Sequence, residues 1–263
     1  MGIAISAVTV CVGCSDFLEE VARHNRHLFR QWMVVTHPRD GDTLETCRRN
    51  SLDCLRTEDV GLYGQPFNKG RALARGISQL SWQDWLLGVD CDIVLPRNTL
   101  NVLDSAELEP GKLYGVDRVC LYSWEQWKIL EASDYLHRQH DYHINVHPPN
   151  MPYGFPPLAS RIMRDGFGYT PHGYFQLFHG SDGLHEGWRY KTNALVPETC
   201  GHTDQKFAER WDRRNRVLIP EIIAVHLESE RVRFGTNWTG RRTRWFGPEG
   251  SEPKTPPTGR AYP

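Results

Sequence analysis

The stretch WLLGVDCDIVLP, Trp85 to Pro96, sets two carboxylates inside an apolar run. Trp85, Leu86, Leu87 and Val89 come before them, and Ile93, Val94 and Leu95 follow. An unpaired charge is expensive to bury. The run therefore predicts a strand that presents Asp90 and Asp92 near its carboxyl end. D-x-D alone is a weak pattern, and a solvated loop or a helix cap also accounts for it. Its placement between two apolar runs is what gives it weight.

The whole chain frames that stretch. It has 263 residues, 39% hydrophobic and 24% charged, an ordinary globular composition. One large domain or two small ones fit this length. No apolar run reaches about 18 residues, so no membrane span is expected. MGIAISAVTVCVGCSDF has no basic leader and reads as a first strand, not a signal peptide. Gly2 with Ser6 fits a myristoylation pattern only weakly, because Gly2 leads straight into that strand. A cytoplasmic location, in a bacterial or phage-infected cell, is the expectation. The seven cysteines suggest no secreted disulfide framework. Cys11 and Cys14 form a C-x-x-C without a second pair at zinc-ribbon spacing, which favours reduced thiols around a strand end. The net charge is -1, unevenly placed: from Gln205 onward there are 12 basic and 7 acidic residues. That segment is where an anionic partner is expected.

Working outward, AISAVTVCVG reads as a strand. DFLEEVARHNRHLFRQW is helical, with Ser15 as a cap. WMVVTH is a second strand, DTLETCRRNSL a helix capped by Asp42, and TEDVGLYG a short strand. NKGRALARGISQL is a helix, and DWLLGVDCDIVLP closes the half. This alternation implies a mostly parallel sheet with crossover helices, an α/β fold, and such sheets bind ligands at the carboxyl ends of their strands. Further on, KLYGVDRVCLYSWEQWKIL reads as a strand and a helix, and GYFQLFHG as a strand. DQKFAERW is a short helix capped by Thr203 or Asp204, and RVLIPEIIAVHLES supplies one or two strands. The expected domain runs 1–246, with a nucleotide-binding half at 1–100 and an acceptor and metal half at 101–246. Residues 247–263 form a Pro/Gly-rich tail.

Several ordered segments carry a resemblance: FNKGRALARGI, DWLLGVDCDIVLP, GHTDQKFAERW, and VHL followed by NWTGRRTRWF. Together the chain resembles the family 2 glycosyltransferases of the GT-A fold, over about Val8 to Phe246. It departs from them at VVTHPRDGDT, where that family commonly has an acidic turn. The resemblance implies a central sheet with helices on both faces and inverting transfer from a nucleotide-diphosphate sugar, a UDP-sugar first. It implies Mn²⁺ or Mg²⁺ held by Asp92 and His226. Asp90 reaches the ribose or a metal-bound water, and Asp204 is the general base, with His202 in reserve. Donor contacts fall to Thr36, Asp40, Asn68, Lys69, Asn237, Trp238, Arg241 and Arg242. Tyr174 and Gln176, with His202 and the aromatic loops around Tyr153, Phe155 and Tyr169, make the acceptor side.

Bland readings stand beside these. Asp204 serves equally as a helix cap, His226 as a strand-end residue, Lys69 as a solvated lysine, and NWTGRR as a basic surface loop. The acceptor is open between a hydroxymethylated DNA base, a protein and a glycan. A non-catalytic nucleotide-sugar-binding module or a nucleotidyltransferase remains the alternative class. The latter usually has a Gly-rich basic loop after the first strand, where this chain reads CVGCSDFLEE.

Overall fold

In a computed structural model the described residues are 2–60, 68–81, 85–121, 123–133, 135–137, 162–163, 168–182, 200–227 and 246–248. The elements follow in order: β1 (Ile5–Val10), α1 (Ser15–Asn25), β2 (Gln31–Thr36), α2 (Gly41–Arg49), β3 (Asp53–Arg56) and α3 (Lys69–Ile77). Then come β4 (Trp85–Val89), β5 (Ile93–Val94), α4 (Thr99–Ser105), β6 (Leu113–Leu121) and α5 (Trp124–Ala132). A two-strand ribbon, β7 (Ile162–Met163) with β8 (Gly168–Tyr169), precedes β9 (Phe175–His179), α6 (Cys200–Ala208) and β10 (Arg216–Leu227). No helix among the described residues is long and apolar enough to cross a membrane.

Eight strands make one sheet in the order β3-β2-β1-β4-β9-β6-β10-β5. The β3-β2-β1-β4 half is parallel, as is β6 with β10, while β9 and β5 run antiparallel to their neighbours. The expected α/β architecture, a mostly parallel sheet with helices on both faces, is what the chain adopts. One face packs Phe17, Leu18 and Val21 of α1 and Trp127 and Leu130 of α5. The other packs Ala72, Leu73 and Ile77 of α3 with Phe207 and Trp211. α3 approaches so closely that a Cβ at Gly76 would come within 2.4 Å of Val8 Cγ2 and 2.6 Å of Val35 Cγ2.

The connection from β4 to β5 forces the sheet to curl. Only Asp90, Cys91 and Asp92 separate the two strands, yet β9, β6 and β10 lie between them in the sheet. Four strand steps at about 4.8 Å make roughly 19 Å in a flat sheet. A chain advancing four residues reaches at most about 14 Å. The far edge must therefore swing back toward the end of β4. The swing coincides with a thin join: β6 meets β9 through the single pair Tyr114↔Leu177.

Some local expectations shift. The third strand lies at Asp53–Arg56, before TEDVGLYG. Thr57 and Asp59 bond to each other instead, Asp59 N–H to Thr57 Oγ1 at 3.2 Å and Thr57 Oγ1 to Asp59 Oδ2 at 3.2 Å, a local competitor that ends the ladder. α2 is capped by Asp40 and not Asp42, because the Asp40 carboxylate reaches Thr43 N–H at 3.2 Å and Thr43 Oγ1 at 2.8 Å. Ser15 is the first residue of α1 and Cys14 precedes it, with no side-chain cap. β10 is one strand, with a register shift between Ile219 and Ile223 around Pro220. Neither Thr203 nor Asp204 caps the late helix, since α6 begins at Cys200.

β5 depends on one buried side chain. Asn25, at the end of α1, donates Nδ2–H to Ile93 O at 2.8 Å and accepts from Leu95 N–H at 2.9 Å. It thereby supplies the backbone of β5 with partners on the side away from β10. Removing it leaves two buried backbone groups unpaired, at roughly 1–3 kcal/mol each. Asn25→Ala is therefore expected to lower unfolding free energy by about 2 kcal/mol or more in urea titration. A loss under about 0.5 kcal/mol would show that water replaces the amide there.

Candidate functional site

The site lies at the carboxyl end of β4, in the space the curl closes. Asn68 caps α3, its Oδ1 accepting from Arg71 N–H at 3.0 Å. This cap sets Lys69 in the first turn, where its ammonium pairs with Asp90. Lys69 Nζ also faces Gly173 O at 3.5 Å. The pair is recessed, with 14% and 29% of the two side chains exposed. Burial pushes the Asp90 carboxyl above its usual range; Lys69 opposes that and Asp92 adds to it. Arg71 and Arg75, on the outer face of the same helix, pair with Asp59 at 3.5 and 2.9 Å and stand in solvent.

Asp92 and His226 meet across the curl. β10 pairs antiparallel with β5, His226 against Ile93, and Leu227 N–H donates to Asp92 O at 2.8 Å. That register brings His226 Nε2 to 3.2 Å from Asp92 Oδ2, with both side chains buried. A hard carboxylate oxygen and an imidazole nitrogen converging in this way suit a divalent cation of the Mn²⁺ or Mg²⁺ type. Behind them, Arg118 of β6 places Nη1 2.9 Å from His226 Nδ1. A guanidinium only donates. In the neutral ring His226 Nδ1 is therefore the acceptor, and the one ring proton sits on Nε2, toward Asp92. Burial pulls the imidazole pKa down, but the Asp92 carboxylate and its hydrogen bond outweigh burial and raise it well above the usual value; Arg118 opposes the rise.

The acceptor-side candidates form a second wall. Arg118 stacks over the Tyr174 ring, 4.4 Å from its centroid, and His172 stacks on Tyr174 with centroids 6.2 Å apart. The Tyr174 hydroxyl donates to Val116 O. Asp204, in the first turns of α6, accepts from Gly173 N–H through Oδ2 at 2.8 Å. Its Oδ1 is buried and has no hydrogen-bond partner among the described residues. Burial pushes His172 below the usual histidine range; Asp204 opposes this and Arg118 reinforces it. Gly173 sits between the two walls. A Cβ there would come 3.0 Å from Asp204 Cβ and 3.1 Å from Lys69 Nζ.

Of the residues expected from sequence, the structure gathers Asn68, Lys69, Asp90, Asp92, Tyr174, Gln176, Asp204 and His226 around this one end of the sheet. Gln176 is buried, and its Nε2 donates to Pro171 O at 2.9 Å and Asp204 O at 3.1 Å, so it seats α6. Thr36 and Asp40 are buried as well. Asp40 holds Gly13 N–H at 2.8 Å and both groups of Thr43, and Thr36 Oγ1 donates to it at 3.3 Å. This pair shapes the loop after β1. Asn237, Trp238, Arg241 and Arg242 lie outside the described residues, as do Tyr153, Phe155 and the side chain of His202. Arg118, His172 and Gly173 were not anticipated. The signal for Arg118 was present, since Asp117 and Arg118 interrupt the otherwise apolar LYGVDRVCLY. Elsewhere Glu20, His24 and Glu131 also converge. Their carboxylates already bind Trp127 Nε1–H at 2.8 Å, Arg23 at 2.8 Å and Lys128, so this group reads as a clasp between α1 and α5.

No protein-family model matches the chain, and no curated protein matches it. Solved structures similar to it include glucosyl-3-phosphoglycerate synthase from Mycobacterium tuberculosis, in complex with Mn²⁺ and UDP-glucose. That likeness is 15% identical, covers 90% of this chain and 74% of that one, and has a TM-score of 0.45. Mannosyl-3-phosphoglycerate synthase from Rubrobacter xylanophilus matches at 18% identity and TM-score 0.35; the match covers 44% of this chain and only 40% of that one. A 4-diphosphocytidyl-2C-methyl-D-erythritol synthase from Anaerococcus prevotii matches at 14% identity over 82% of this chain and 87% of that one, with TM-score 0.42.

The Arg118–His226 bond generates a prediction of unusual sign. Ligating a cation through Nε2 requires the ring proton to leave that nitrogen, and Nδ1–H would then point at a donor-only guanidinium. Ligating histidines normally donate their second N–H to an acceptor, and disturbing such partners changes affinity by roughly 10–100-fold. Arg118→Leu should therefore tighten Mn²⁺ binding, measured with the metal alone by calorimetry, by about 10-fold. Unchanged or weaker binding would show that His226 does not ligate through Nε2.

Proposed function

We propose that this chain is an inverting, metal-dependent glycosyltransferase of the GT-A type, moving a sugar from a nucleotide-diphosphate sugar, UDP-sugars first, to an acceptor hydroxyl. The observation that carries this reading is the 3.2 Å approach of Asp92, in the turn after β4, and His226, near the end of β10, beside the Lys69–Asp90 pair, with Asp204 and Lys69 both against Gly173. The resemblance in sequence supports it at the same residues.

The roles follow from the geometry. Asp92 and His226 would hold the divalent cation. When bound, that cation neutralises the charge growing on the leaving nucleoside diphosphate. Lys69 orients Asp90, leaving one carboxylate edge for the donor ribose or a water on the metal. Arg118 adds a fixed positive charge on the same side. Asn237, Trp238, Arg241 and Arg242 complete the donor side in this proposal, the arginines forking onto phosphate oxygens.

Asp204 takes the proton of the acceptor hydroxyl at Oδ1, while Gly173 N–H holds Oδ2 and so fixes the carboxylate's orientation. Tyr174 and Gln176 then act as positioning residues: Tyr174 carries Arg118 on its ring, and Gln176 anchors the backbone of Asp204. His202 remains the runner-up base. Thr36 and Asp40 contribute to donor binding by shaping the loop after β1. Nothing among the described residues singles out a DNA base, a protein or a glycan as acceptor.

A nucleotidyltransferase would need cationic groups after β1, and Cys11 to Ser15 contain none. A panel of nucleotide sugars, read by release of free nucleoside diphosphate and followed by DNA, protein and glycan acceptors, separates the readings. Turnover of at least one donor is expected with Mn²⁺ or Mg²⁺, abolished by EDTA and by Asp92→Ala. Tight nucleotide binding with no turnover of any donor would leave a binding module.

Asp204→Asn tests the base. The amide oxygen still accepts from Gly173 N–H, so stability and donor binding should hold, while transfer falls roughly 10²–10⁴-fold. Near-native transfer would move the role to His202.

A further inference from the structure

Lys69 serves the donor side as the partner of Asp90, yet its surroundings reach further. The ammonium pairs with Asp90 and faces Gly173 O at 3.5 Å, while the N–H of the same glycine donates to Asp204 Oδ2 at 2.8 Å. One residue thus meets the donor-side cation through its carbonyl and the proposed base through its amide. Gly173 adds no side chain to the space between them. The place a Cβ would take there is 3.1 Å from Lys69 Nζ and 3.1 Å from Asp204 Oδ2. Two atoms at that distance from one point stand within twice that distance of each other, close to the roughly 4–6 Å over which an opposite charge acts. The surroundings are braced. Gln176 Nε2 holds Pro171 O at 2.9 Å and Asp204 O at 3.1 Å. Phe175 N–H donates to His172 O at 3.1 Å, and Asp90 N–H donates to Tyr174 O at 3.4 Å. Lys69 itself is set by the Asn68 cap, with 14% of its side chain exposed.

We propose that Lys69 is a positioning residue for the base Asp204 as well as for Asp90, its ammonium held between the two carboxylates across the gap that Gly173 leaves open. The role at the base rests on the reading of Asp204 given above; the coupling of the two charges does not. The ammonium attracts the same carboxylate oxygen that Gly173 N–H holds, so Oδ2 is fixed from two sides and Oδ1 is left for the acceptor hydroxyl. Without the ammonium, Asp204 and Asp90 would face each other as like charges, and the carboxylate would turn away. Gly173 sets the spacing. A Cβ there would come 3.0 Å from Asp204 Cβ, on a helix whose backbone Gln176 anchors, so the base and Lys69 would be pushed apart.

A double-variant cycle on the full-length chain tests the coupling without any turnover. Asp204→Asn keeps the bond to Gly173 and should leave Tm nearly unchanged. In Lys69→Gln, where no ammonium stands between Asp90 and Asp204, the same change removes a repulsion and should raise Tm by about 2 °C or more. Effects of the two changes that simply add would overturn the proposal, whatever the activity of the chain. Kinetics then locate the role. With a donor that the chain turns over, Lys69→Gln should lower transfer kcat by about 10-fold or more beyond any rise in donor KM, because small misplacements of a reacting group are costly. A rise in donor KM alone would confine Lys69 to the donor side. Gly173→Ala keeps every charge, and so asks the same question should Lys69→Gln fail to fold. It should lower transfer about 10-fold while donor KM stays within about 2-fold, and native transfer would overturn the spacing role. A chain that turns over no donor would defeat the glycosyltransferase reading, and the Tm cycle would still decide the coupling.

Discussion

Everything at the site depends on the brevity of one connection. Three residues must join a strand near the middle of the sheet to a strand paired at its far edge, and the backbone is too short to do so across a flat surface. Curling is therefore imposed by chain length. It brings β10 against the turn, sets His226 beside Asp92, and leaves β6 and β9 ladder-paired at one position, near which Arg118 stacks on Tyr174. The two apolar faces follow the same bend, α1 and α5 on one side and α3 and α6 on the other.

The charges in this gap are arranged in alternation. Lys69 neutralises Asp90, Asp92 meets His226, and His226 meets Arg118, which spreads its own charge over the Tyr174 ring. A row of buried charges without that alternation would be strongly destabilising. The arrangement is poised between two states of protonation at His226, because Asp92 favours a proton on the ring while Arg118 requires a lone pair. Movement of Arg118 away from Nδ1 therefore favours a charged ring beside Asp92.

What could be read from the sequence was local. Apolar runs flanking Asp90 and Asp92 located a strand end, and alternation located most of the other strands, because both depend on nearest neighbours. The meeting of Asp92 with His226 is not local; it arises from the curl, and periodicity carries no trace of it. Only the resemblance to a known family pointed there. Caps were misjudged for a related reason. In RDGDT both aspartates satisfy the cap pattern, and the choice of Asp40 is made by Gly13 and Thr36, which reach it from other segments. Asp204 was placed at a helix mouth because nothing in TCGHTDQ marks where the helix begins. Arg118 was overlooked although the rule that singled out the two aspartates, charge within an apolar strand, applied to it equally.

The pairing of β5 with β10 also has a consequence in time. Asp92 and His226 are separated by more than half of the chain, and every strand from β1 to β4 precedes both β5 and its partner. On a ribosome adding about 5–20 residues per second, His226 emerges roughly 7 to 27 seconds after Asp92. Through that interval the parallel half can assemble, but the β5 edge has no strand to pair with and the acidic turn has no imidazole beside it. The last strand among the described residues thus both seals the sheet edge and completes the Asp92–His226 pair. A polypeptide arrested before β10 would keep much of the first half's core and lack the Asp92–His226 pair entirely.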